Sequence, residues 1–129
     1  MLAFEQLNVY SLANRNGPTP QRVHLFACEE LKAELVVLPP STTLEWQSYA
    51  NRDELFDVLE GEGVFQIEDR EFRGGPGKSV LVHAGVRHLL HNDGEKPWIV
   101  RSTLHERLSP RHIGRLIARA VRERLGMVG

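Results

Sequence analysis

Between Arg22 and Arg107 the apolar residues come in short runs broken by Gly, Pro, Asn and Asp, with Val, Ile, Phe and Trp prominent. Runs of that length, rich in β-branched and aromatic side chains, predict strands. The candidates are Val23 to Cys28, Leu31 to Leu38, Leu44 to Tyr49, Leu55 to Glu60, Gly63 to Glu68, Ser79 to Val82, His88 to His91 and Trp98 to Leu104. A turn signal every 8 to 12 residues or so suits a many-stranded antiparallel sandwich or barrel. Residues 1–20 lack the pattern and end in Asn16, Gly17, Pro18, Thr19 and Pro20, which break helix and strand alike. They read as an N-terminal arm with at most one helical turn, leaving 21–107 as the barrel.

The period changes over 108–129. Ile113, Leu116, Ile117, Ala120, Val121 and Leu125 recur at helical spacing, and Arg111, Arg115, Arg119 and Arg122 take the opposite face. Ser109 suits the N-cap, Pro110 the first helical position and Gly126 the C-terminal stop. The pattern predicts an amphipathic helix that lays its apolar stripe on the barrel or on a partner subunit.

Composition narrows the class. The chain has 129 residues, 41% hydrophobic and 26% charged, with a net charge of −1, which is the balance of one ordinary globular domain. A chain of this size buries well over half of its unfolded surface without disulfides, and the lone Cys28 allows no internal one. Cys28, between Ala27 and Glu29, reads as a small packed residue. No apolar run reaches the roughly 18 residues of a membrane span, and near-zero net charge argues against a nucleic-acid binder. Residues 110–129 hold five arginines and one glutamate, so the basic character is confined to the tail. Met1 to Tyr10 do not read as a signal peptide, which points to a reducing cytoplasm.

Candidate chemistry lies between Trp46 and Trp98. Because strand side chains alternate, Glu54, Phe56 and Val58 share one face and Asp57 the other, while His88 and Leu90 point together, away from His91. If Glu54 faces the interior, its carboxylate needs a partner there, and His88 is the natural one. His83 falls in a turn; His24, His105 and His112 lie outside any such grouping.

The spacing of Gly77, Gly85, His88 and Asn92 resembles the second motif of the cupin family, with His83 where a proline is usual. Glu54 and Gly61 in ELFDVLEGEG resemble the end of the first. The resemblance implies an all-β fold, an antiparallel double-stranded β-helix or jelly-roll barrel, and commonly a homodimer. In metal-dependent cupins two histidines precede the glutamate. Counted back at the longer family spacing, which aligns Trp46, Asp53 and Glu54, those places hold Gln47 and Tyr49; at the shorter, Ser48 and Ala50. The ligand set the resemblance implies is thus reduced to Glu54 and His88, with Gln47 or Tyr49 as a third. A neutral amide is a poor ligand, and tyrosine must lose a proton from a group with pKa near 10.

Three readings follow. The first is a small-molecule-binding cupin, without metal, whose pocket is built from Gln47, Tyr49, Glu54, Phe56 and His88. The second is a metal-dependent dioxygenase, decarboxylase or isomerase with an atypical site for one transition-metal ion, iron, manganese, nickel, copper or zinc. The third is a metal-free isomerase or epimerase with His88 as base and Tyr49 as acid. The expected partners are a small-molecule ligand and a second copy of the chain, with neither nucleic acid nor membrane.

Overall fold

A computed structural model describes residues 3–106. Nine strands follow a short 3-10 turn at Val9–Leu12. They are β1 (Gln21–Ala27), β2 (Leu31–Leu38), β3 (Thr43–Gln47), β4 (Arg52–Glu60), β5 (Gly63–Ile67), β6 (Arg70–Gly74), β7 (Ser79–Val82), β8 (His88–His91) and β9 (Trp98–Glu106). All pairs are antiparallel, in a five-stranded sheet ordered β1-β2-β9-β4-β7 and a four-stranded sheet ordered β3-β8-β5-β6. The predicted C-terminal helix, 108–129, lies outside the described residues. Among those residues no helix is long and apolar enough to cross a membrane.

Strands β2, β7 and β8 have the limits that the apolar pattern predicts, whereas β4 starts three residues earlier, at Arg52. Strand β6 was not predicted: in Arg70–Gly74 only Phe72 is large and apolar, too little for alternation to register. Cys28 is exposed rather than packed, because β1 ends at Ala27 and the following turn carries the thiol outward.

The space between the sheets holds the main core: Val36, Leu38, Phe56, Val58, Phe65, Leu90, Trp98 and Val100 are all buried there. Phe65 meets Trp98 edge-on at 5.1 Å and stacks on Phe72 at 5.4 Å. Two opposed glycines make room for these rings. A Cβ on Gly63 would lie 2.3 Å from the Trp98 ring, and one on Gly74 would lie 2.4 Å from Phe65. A second cluster, Leu25, Leu35, Val37 and Ile99, lies on the opposite face of the five-stranded sheet. Val9 and Ala13 of the N-terminal arm pack on it, and Arg15 fastens the arm by two hydrogen bonds to Glu60, at 2.8 and 3.2 Å.

Candidate functional site

Alternation on the inner face of the larger sheet carries the core pattern toward one end of the barrel and there changes its chemistry. On β2 the series Leu38, Val36 continues as Glu34 and Lys32; on β9, Trp98, Val100 continues as Ser102 and Leu104; on β4, Val58, Phe56 continues as Glu54. The opposing sheet supplies His88, directly across from Gln47. A β-bulge between Leu44 and Gln47 sets that register, turning Gln47 inward and leaving Trp46 exposed under Arg87.

Glu54 and His88 are both buried and meet across the sandwich, His88 Nε2 lying 2.6 Å from Glu54 Oε1. The other ring nitrogen, Nδ1, is 3.0 Å from the Val86 carbonyl oxygen. A carbonyl oxygen only accepts, so Nδ1 is the donor in that contact. Glu54 Oε2 accepts from the Ser102 hydroxyl at 2.5 Å and lies 3.4 Å from Arg22 Nη2. Burial pushes the Glu54 carboxyl up, but hydrogen bonds from His88 and Ser102 and the Arg22 charge outweigh it, so the group sits below its ordinary value and is ionised at neutral pH.

Arg22 is the centre of the remaining contacts. It reaches from β1, at the edge of one sheet, to donate through Nη2 to Gln47 Oε1 on β3, at the edge of the other, at 2.7 Å. The Tyr49 hydroxyl donates to the same amide oxygen at 3.2 Å. Burial first, and then the charge of Glu54, push the Tyr49 phenol up, which disfavours tyrosinate. Arg22 Nη1 is buried with no hydrogen-bond partner; Glu34 Oε2 is 3.8 Å away, within reach of charge attraction but beyond a hydrogen bond. Glu34 is also paired with Lys32, at 3.2 Å.

The structure therefore brings Gln47, Tyr49, Glu54 and His88 together, with Phe56 beneath the His88 ring, edge-on at 5.6 Å and closed off from solvent. It adds Arg22, Glu34 and Ser102, which sequence reasoning missed. Alternation from Val36 and Val100 could have turned Glu34 and Ser102 inward; nothing comparable marked Arg22. His83 is exposed in its turn, 3.9 Å from Asp53, and His91 is bonded to Thr43 at 2.7 Å. Asn92 is a structural tie: its amide donates to the Leu38 and Lys96 carbonyls and its oxygen accepts from Gly94. Gly77 and Gly85 adopt φ of 90° and 85° in open surroundings, so backbone conformation is what requires glycine there.

These residues do not fit a divalent metal. The facing ligand atoms of Glu54 and His88 are engaged with each other, the Gln47 oxygen is held by Arg22 and Tyr49, and a guanidinium already supplies positive charge at Glu54. Among the described residues no group of three or more His, Cys, Asp or Glu side chains is arranged to hold a metal ion.

Comparison with known proteins agrees with the architecture. The model of the Cupin domain family matches residues 34–103, and no curated protein sequence matches the chain. Among solved structures, TT1209 of Thermus thermophilus is 23% identical with a TM-score of 0.75, covering 81% of this chain and 100% of its own. A predicted oxalate decarboxylase of Thermotoga maritima is 20% identical with a TM-score of 0.62, covering 68% and 92%. KdgF of a Halomonas species is 17% identical with a TM-score of 0.65, covering 74% and 87%. At these identities the likeness is one of fold.

Proposed function

This chain belongs to the cupin domain family, and from that premise we propose that it is a metal-independent member holding a small organic ligand at the polar end of its barrel. The observation that carries the reading is the Arg22 guanidinium, which takes the Gln47 oxygen and approaches Glu54 among the four positions that metal-dependent relatives would give to ligands. A fixed cation there opposes a second one by repulsion and leaves hydrogen-bonding groups, rather than open coordination sites, to meet a ligand. Gln47, Tyr49 and Arg22 are only partly buried, so the ligand enters past them. Acid–base catalysis between His88 and Tyr49 fits less well. Both ring nitrogens of His88 are engaged, and the Tyr49 hydroxyl turns to Gln47.

The test is to purify the protein untagged without chelator, measure its metal content, and then screen small metabolites by thermal shift with chelator present. The reading expects far less than one equivalent of metal, and at least one compound that raises the midpoint and loses its effect in Gln47→Ala. Stoichiometric metal that disappears in a Glu54→Ala/His88→Ala double variant would overturn it.

A further inference from the structure

We propose that the ligand is a small organic monoanion whose carboxylate accepts the unpartnered Nη1 donor of Arg22; this assignment rests on the metal-independent reading above. Three observations support it. The first is the orphaned donor. A buried guanidinium nitrogen without an acceptor loses the hydrogen bond it had in water, and the nearest carboxylate oxygen, on Glu34, stands off at 3.8 Å. A carboxylate is the acceptor that a guanidinium binds most strongly in this geometry.

The second is the balance of charge. The linked set pairs two fixed cations, Arg22 and Lys32, with two carboxylates, Glu34 and Glu54. A single carboxylate can take the Nη1 donor that Glu34 leaves without a hydrogen bond; a dianion would set its second charge against these two acids.

The third concerns the rest of the ligand. Lys32 lies one step outward from Glu34 on the inner face and lines a cavity of about 240 Å³ with Arg52 and Leu104. Glu29, Glu30 and Glu106 line the same cavity. Three acids against two cations, Lys32 and Arg52, give a second carboxylate on the ligand no net attraction there, so the charged end belongs at Arg22 and a neutral body against Leu104.

The assignment can be tested by calorimetric titration, in chelator, of acetate, propionate and benzoate against acetamide, propionamide and benzamide, with succinate and inorganic phosphate alongside. The acids should bind, with each amide weaker by about tenfold or more, and succinate and phosphate weaker than the monoacids. Arg22→Gln should abolish acid binding. Should that variant fail to fold by circular dichroism, Lys32→Gln, at a half-exposed position, carries the test with an expected loss of roughly threefold. Amides that bind as tightly as acids overturn the anion and leave the metal-independent pocket standing. Acid binding that appears only when a divalent metal replaces the chelator overturns both. Failure of every acid to bind the wild-type protein overturns the anion assignment, as does undiminished binding by the folded Arg22→Gln protein.

Discussion

The two ends of the barrel interior share strands β4 and β9, where Val58 and Glu54, and Trp98 and Ser102, stand four residues apart, yet they obey different rules. At the closed end Trp98, Phe65, Phe72 and Val58 are held by shape, with Gly63 and Gly74 hollowed out to admit the rings. At the open end Glu34, Glu54, Ser102, His88 and Arg22 are held by direction and charge. A close-packed end is sensitive to volume and indifferent to pH; a hydrogen-bonded end is sensitive to the loss of one partner and to protonation. Packing strength and the chemistry of the polar cluster can thus be separated by which end is altered.

The largest effect should come from emptying the closed end. Phe65→Ala should cost about 3–5 kcal/mol, read by denaturant unfolding at neutral pH, with a similar loss at acid pH. Overfilling the same end with Gly63→Ala should cost about 1–3 kcal/mol, because the new methyl collides with the Trp98 ring; a neutral result would show that the ring can move.

At the open end Glu54→Gln should cost about 1–3 kcal/mol at pH 7, and the cost should depend on pH. The Glu54 carboxyl is lowered from 4.5 in the folded chain, so its stabilisation is complete above the unfolded value and lost as pH falls through the folded one. Wild type and variant should therefore converge below pH 4.5, as measured by urea midpoints across an acid series. A constant gap would mean that Glu54 acts by shape, like the closed end. The smallest effect is spectroscopic. In a Tyr10→Phe background the absorbance titration of Tyr49 should have its midpoint above 10.0 and move downward when Glu54→Gln removes the neighbouring charge.

The same contrast explains what could be read from sequence. The closed end announces itself through apolar runs, continuous on β2 and β9, where Leu35, Val37 and Ile99 are apolar on the other face as well, and through Phe56 and Val58 on either side of Asp57 on β4. Glu54 and His88 were legible because a turn-and-strand spacing fixes their faces, and their contact follows from the burial of a carboxylate beside an imidazole. Gln47 was reached only by counting along a family spacing; plain alternation from Leu44 would have turned it outward, since the bulge before it adds the residue that reverses its face. Arg22 was out of reach. It precedes the apolar run from which β1 was inferred, its β1–β2 register shifts between His24 and Phe26, and its long side chain finds partners on the far sheet. Local pattern carries no information about such a reach.

The N-terminal arm has a consequence of another kind. It lies over Leu25, Leu35, Val37 and Ile99, which are as dry as the barrel interior although they stand on the outer face of a sheet. Among the described residues a single turn, a few apolar side chains and the Arg15–Glu60 latch hold it down. A protease that clips the chain near Gly17, or a charge reversal at Glu60, would uncover a sticky β-face and leave the cluster around Glu54 and His88 untouched. Such molecules would stay dispersed at high dilution and clump as they are concentrated, so that the shelf life of the protein, and its yield in a cell, depend on a segment outside its strands.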